Sequence, residues 1–448
     1  MSKAFALLVA LTSFMELFDG TVVQTALPAM GRDFGVGAAT AAVTMAAYFG
    51  AVAAVIPLCG WLADRVGVRR SFVLGMLAFT GASLLCGLVP NSSTGFLWLI
   101  VFRVLQGVGG AAMITVGQLA ILRVAPRENL LNVTAYLIWP ALAAPVIAPV
   151  VGGLITESLG WRWLFFINIP IGLAAVIFAL KIVPDLERDH SRRLDWVGAV
   201  LLGLGLSVTI PALQLAEVLA PSARWLAIGV GLAAFVAGVF WLLRTPTPLL
   251  NLRVFKIATF RLGNLPGAAY RGVVSAVPVV LTLMFQTGFG WSAATAGAMV
   301  MALFAGNLGA KPFANHSVRR WGFRAVIIAS TLAGVATLLF AATLTKETSV
   351  IVILALLFAS GAARSIGFTA YTTVQFADVP KDQMSAASPI SSTVAQLATG
   401  LGIAVFVGFV FTFAGAQATL LLMALTLLAT AIPALFISRD AAGHIAKR

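Results

Sequence analysis

Charge is what this sequence has least of. Only 10% of its 448 residues are Asp, Glu, Lys or Arg, whereas 60% are hydrophobic; an average soluble domain is about a quarter charged. A water-soluble fold is excluded, and a membrane protein is implied. Cysteine is also scarce. Cys59 and Cys86 both sit in apolar stretches, which excludes a disulfide framework and leaves them as small apolar fillers. The three histidines, His190, His316 and His444, are far apart and have no cysteine or acid cluster beside them, so no metal is expected. No GxxxxGK[ST] loop is present, which argues against ATP hydrolysis. No nucleophile and base cluster together, so the chain does not read as an enzyme, and no cofactor is expected.

Long hydrophobic runs are what it has most of. A span needs roughly 20 apolar residues to cross about 30 Å of hydrocarbon. Charged or Pro/Gly/Asn punctuation separates fourteen such runs: 5–27, 38–60, 71–90, 96–122, 130–156, 163–183, 196–219, 223–243, 260–286, 292–310, 325–344, 349–374, 384–411 and 415–437. The first resembles a secretory signal but is longer than a usual h-region and lacks a small-residue cleavage site, so it reads as an uncleaved span.

The net charge of +14 then explains itself by topology. If the N-terminus is cytoplasmic, 22 of the 29 Lys and Arg fall on cytoplasmic connections and tails, and 4 on the other side. That asymmetry places both termini inside the cell and requires an even number of spans. The basic side meets anionic lipid headgroups, which removes the reason to invoke nucleic acid. An internal echo accompanies it. RVGVR at Arg65–Arg69, after the second span, recurs as RWGFR at Arg320–Arg324, after the tenth, and suggests two related halves.

A few charges lie inside the spans. Glu16 and Asp19 are three residues apart and share a helix face; an ionised acid there is costly unless it faces water or a partner. Asp19 is about 12 Å from one end of its span, and Arg103 about 10 Å from the same side. Depth permits them to pair. Arg271 and Arg364 each lie roughly 15 Å deep in the ninth and twelfth spans. Guanidinium suits a carboxylate or phosphate, so these two point to a substrate with anionic character; each could instead satisfy helix carbonyls. Tyr270, Trp139, Gln24 and Tyr371 are further candidates for substrate contact.

Five segments carry a family resemblance. LFDGTVVQTALP (Leu17–Pro28), GWLADRVGVRR (Gly60–Arg70), FRVLQGVGGAA (Phe102–Ala112), APVIAPVVGG (Ala144–Gly153) and GWRWLFFINIP (Gly160–Pro170) resemble, in order, motifs of the major facilitator superfamily. The similarity is to its fourteen-span drug/proton antiporter branch of the EmrB and QacA type, with MdtD-like and HsrA-like members nearest. Two positions depart from the pattern: Ala148 stands where the fifth-span motif has Gly before Pro149, and Gln24 where the first-span motif has Asn.

The resemblance implies an all-α membrane protein of the major facilitator fold, with two six-helix bundles plus two extra helices. The bundles would occupy 1–183 and 260–448, with the inserted pair and its linkers at 184–259. It also brings the first and fourth spans to one central cavity. Asp19 is then expected to carry the proton, Arg103 to tune it, and Glu16 to titrate beside it. Gly60, Asp64, Arg65, Gly67 and Arg69 would form a latch between the halves; Pro149, Gly152 and Gly153 a hinge that limits leak. The expected function is proton-coupled export of drugs or amphipathic and organic-anion compounds from the bacterial cytoplasm, across the inner membrane. Its partners are the small-molecule substrate, protons and lipid, with a periplasmic adaptor left open. The alternatives are a proton-coupled organic-anion importer and, of another class, a lipid enzyme or sensor.

Overall fold

The computed structural model describes residues 3–124, 130–185, 194–215, 218–380 and 383–436, with side chains except at 3, 122–142 and 385. The described residues form helices and connections, with no strand. The first group is α1 (Lys3–Val22), α2 (Leu27–Phe34), α3 (Ala38–Ala41), α4 (Val43–Val66), α5 (Val68–Leu88), α6 (Ser93–Val124), α7 (Leu130–Ser158), α8 (Trp163–Phe166) and α9 (Asn168–Ile182). Then come α10 (Trp196–Gln214) and α11 (Pro221–Arg244). The last group is α12 (Ala258–Leu283), α13 (Ala293–Ala341), α14 (Val350–Val374), α15 (Met384–Gly402) and α16 (Thr412–Ala434).

Among the described residues, 11 helical stretches are long and apolar enough to cross a membrane. Two of these run for 49 residues, and each contains one glycine with non-helical backbone, Gly322 (φ 76°, ψ 163°) and Gly415 (φ 75°, ψ −177°). The chain is a multi-pass membrane protein. Leu-, Val- and Phe-rich faces remain exposed on α5, α9, α11 and α16, as expected where lipid rather than water covers them.

Helices run past the charges that sequence alone assigned to loops. Asp64 and Arg65 close the last turn of α4, and Lys311 lies well inside α13. A charged residue can keep helical backbone while its head reaches a polar environment. What stops α4 is Gly67 (φ 99°), in the left-handed region that costs other residues a steric penalty.

The repeat is more extensive than one five-residue echo. Three pairs of positive-φ glycines, Gly35 and Gly290, Gly67 and Gly322, Gly160 and Gly415, are each separated by the same 255 residues. In that register FGVGAAT (Phe34–Thr40) faces FGWSAAT (Phe289–Thr295), and Pro57 in α4 matches Pro312 in α13. Equal chain lengths between equivalent turns are the mark of one structural unit used twice.

Hydrogen bonds identify the two ends of the helices. At the Gly35 end, Trp161 Nε1 donates to Asp33 Oδ2 (2.8 Å) and Arg162 Nη2 to the Val89 carbonyl (2.9 Å). At the Gly67 end, Arg69 Nε donates to the Val183 carbonyl (2.6 Å). N-terminal and C-terminal helices meet closely at the Gly35 end. There Gln286 Nε2 donates to the Thr25 carbonyl (3.0 Å), and the Ala294 amide donates to Glu157 Oε1 (2.7 Å). The α7–α13 seam leaves no room for side chains: a Cβ on Gly153 would stand 2.4 Å from the Ala293 oxygen, and one on Gly297 2.1 Å from the Pro149 oxygen. So α7 packs tightly despite Ala148.

Candidate functional site

Two clusters of buried polarity stand out, one in each repeat. In the first, Asp19 of α1 and Arg103 of α6 are both fully buried and paired, Oδ2 to Nη1, at 2.5 Å. The pair has further hydrogen-bond partners. Gln106, one turn after Arg103, accepts from Arg103 Nη1 through Oε1 (2.7 Å) and donates from Nε2 to Asp19 Oδ1 (2.9 Å). Asn168, at the start of α9, donates to the same Oδ1 (2.9 Å) and to Ser83 Oγ of α5 (3.0 Å). Arg103 Nε donates to the Thr44 carbonyl (3.2 Å), and its guanidinium carbon lies 4.4 Å from the centre of the Tyr48 ring.

Taking two charges out of water is expensive, and attraction offsets it only where remaining lone pairs and protons are also satisfied. Gln106, Asn168 and Ser83 supply part of that satisfaction, while Arg103 Nη2 is left without a partner. The sequence did not single them out. Gln106 could have been found from its spacing, since i and i+3 share a helix face, and both it and Asn168 lie inside the quoted motifs. Asn168→Ala is expected to cost about 1–3 kcal/mol, the penalty of leaving a buried carboxylate short of a donor; thermal unfolding of the purified protein measures it.

Glu16, one turn before Asp19, is 3% exposed. Its charge acts on Asp19, Arg103 and, across the gap between repeats, Arg271. In the 255-residue register Glu16 and Arg271 are equivalent positions, and so are Asp19 and Val274. Opposite charges thus occupy matching places in the two units.

The second cluster is cationic. Arg364 of α14 is buried; its Nη2 donates to the Val274 carbonyl (2.5 Å), while Nε and Nη1 have no partner. Arg271 of α12 donates from Nε to Thr399 Oγ1 (3.3 Å) and sits 4.9 Å from the centre of the Phe368 ring. Lys311 of α13 stands 5.7 Å from that same ring centre, its ammonium 3.4 Å from Thr369 Oγ1. A cleft lying toward the Gly67 end is lined by Arg271, Phe368, Tyr371, Asn264 and Gln375 among others.

Of the residues expected to contact substrate, Arg271 and Tyr371 line this cleft. Tyr371 does so with its hydroxyl already donated to the Thr430 carbonyl (2.8 Å). Tyr270 is buried behind it, with ring centroids 5.1 Å apart and its hydroxyl on the Arg364 carbonyl (3.3 Å). Gln24 is buried in the short turn between α1 and α2, with Nε2 unpartnered. The side chain of Trp139 lies outside the described residues.

The conformational candidates divide between the two ends. Gly60, Asp64, Arg65, Gly67 and Arg69 cluster around the α4–α5 junction, where Asp64 is buried. Pro149 and Gly153 face α13 across the seam, while Gly152 faces α1, where a Cβ would meet Val22 at 2.6 Å.

Apolar helices in a twofold repeat, a buried ion pair and an open cleft bearing Arg271 describe a membrane transporter rather than a catalyst. The Major Facilitator Superfamily model matches residues 9–276 and 267–448, and the chain belongs to that family, as the five motifs imply. A Klebsiella pneumoniae protein named for multidrug resistance, MdtD, is 33% identical over 404 residues, 89% of this chain and 84% of its own. Two solved structures share the fold. The inward-open xylose transporter XylE from E. coli has a TM-score of 0.67 at 12% identity, covering 96% of this chain and 95% of its own. The human organic anion transporter MFSD10 has 0.64 at 16%, covering 96% and 99%.

Proposed function

We propose that the protein is a proton-coupled exporter of drugs and amphipathic organic anions, working by alternating access in a bacterial inner membrane. The MdtD relatives, named for multidrug resistance, support drug export over the importer. The observation that carries the coupling is the buried Asp19–Arg103 pair in one repeat beside a cleft bearing Arg271 in the other.

Fourteen spans are consistent with the helices. Dividing the two 49-residue stretches at Gly322 and Gly415, and counting α7 as a crossing, turns 11 into fourteen. Residues 1–183 and 260–448 then form six-helix bundles, and α10 and α11 the insert. The basic Gly67 end is the cytoplasmic one, with both termini there. The tight Gly35 end and the cleft toward the Gly67 end fit a state open to the cytoplasm.

In that state Asp19 is shut away and neutralised by Arg103. A proton reaches it only once helix movement separates the pair, and binding of the proton keeps them apart. Glu16 stands between the pair and Arg271, where it can relay the state of one repeat to the other. Tyr270, Gln24 and Trp139 remain candidates to border the substrate path, the first through its contact with Tyr371. The junction of Gly60, Asp64, Arg65, Gly67 and Arg69 acts as the latch at the cytoplasmic end, and the Pro149–Gly153 surface as the seal at the other. Proton, small-molecule substrate and lipid are the partners.

The test is Asp19→Asn in proteoliposomes. Efflux driven by a pH gradient is expected to fall at least about tenfold, a change of roughly 1.4 kcal/mol in the barrier, with protein still in the membrane. Full gradient-driven transport in that variant would rule the proton role out.

A further inference from the structure

The helices α12 to α16 contain no Asp or Glu, yet they carry Arg364 buried and Arg271 and Lys311 half-buried. Uncompensated cations in such a place are costly. Every protein carboxylate acting on Arg271 comes from outside these helices, as Glu16 does. Arg364 is 6% exposed and keeps two guanidinium nitrogens, Nε and Nη1, without partners. Lys311 has only a long contact to a threonine hydroxyl. One carboxylate against three cations leaves two positive charges unmet.

Geometry places two of the cations together. Arg271 and Lys311 share the Phe368 ring, so their charged ends lie within about 11 Å of each other. Arg271, Phe368 and Tyr371 line the cleft, and Lys311 stands against the Phe368 ring beside that lining. Lys311 directly follows the apolar run 292–310, and helical continuation of α13 past Pro312 is what brings it here.

We propose that Arg271 and Lys311 form a two-point clamp for an aromatic dianion carrying two separate acidic groups, with Arg271 holding one and Lys311 selecting for the second. This rests on the anionic reading of the same cleft and adds the residue that sets specificity. A flat ring fits against Phe368 and Tyr371, and the two acids replace the counter-charges that the helices lack. Lys311 can sample a range of positions where a planar guanidinium is fixed, so it accepts acids at varied spacing along a ring.

Terephthalate, benzoate and benzylammonium share one ring and differ in charge, and their binding to the purified full chain in nanodiscs by calorimetry tests the clamp. Terephthalate is expected to bind at least about tenfold tighter than benzoate, and benzylammonium weakest. Lys311→Gln should bring terephthalate down to the benzoate level while leaving benzoate unchanged; Lys311→Arg should restore the preference; Arg271→Gln should weaken both acids. An unchanged terephthalate-to-benzoate ratio in Lys311→Gln overturns the clamp and leaves the anionic reading standing. Benzylammonium binding as tightly as benzoate to the unmodified protein overturns both. Monodisperse elution of each variant keeps a folding failure from passing as lost affinity.

Discussion

Replacing Arg103 with leucine is expected to destabilise the protein by about 3–5 kcal/mol and to abolish gradient-driven efflux. The stability loss follows from what remains behind. Asp19 is fully buried, and Gln106 and Asn168 give it hydrogen bonds but no positive charge; breaking a buried pair on one side leaves an uncompensated ion, a cost on that order. Tyr48 would also lose the guanidinium over its ring. The double variant Asp19→Asn with Arg103→Leu separates scaffold from coupling. It should recover a good part of the lost stability, since no lone charge is buried, and none of the transport. Thermal unfolding in detergent and efflux from reconstituted vesicles supply the two readings. Recovery of both would mean that the pair merely positions α1 against α6.

Gly297→Val is expected to reduce transport more than about tenfold while the protein still inserts. At this position a Cβ would stand 2.1 Å from the Pro149 oxygen and 2.7 Å from its carbonyl carbon. Backbone cannot yield as a flexible side chain can, and overpacking of this kind costs about 1–3 kcal/mol when it forces the backbone to shift. The cheapest relief is to part α7 from α13, which opens the Gly35 end and depopulates the state described here. Amide hydrogen exchange should accordingly quicken in the first turns of α13, which Glu157 otherwise caps through the Ala294 amide. Gly297→Ala should show the same effects in weaker form. Normal efflux in Gly297→Val would mean that this close contact belongs to no step of the working cycle.

Much of the site was legible one residue at a time. Acids and arginines inside apolar runs are rare enough to name themselves, and depth counting alone allowed Asp19 and Arg103 to meet. The polar residues that surround them were not legible in this way. Gln106 and Asn168 resemble any other polar residue in a span until the α5, α6 and α9 helices converge on one carboxylate. The place of Lys311 is hidden for a related reason: a basic residue directly after the apolar run 292–310 looks like the start of a loop, and only the break at Gly322 shows where the helix ends.

The sequence by itself determined that the chain lives in a membrane, which family it belongs to, and that its two halves echo one another. Those properties depend on composition, periodicity and local motifs, which are written along the chain. Tertiary structure decided what each buried charge answers to: Asp19 to three side chains from two other helices, Arg271 and Lys311 to one shared ring, Glu16 to its counterpart in the other repeat. The physical reason is that the cost of a buried charge is set by neighbours within a few ångströms, and here those neighbours are separated by dozens to hundreds of residues along the chain.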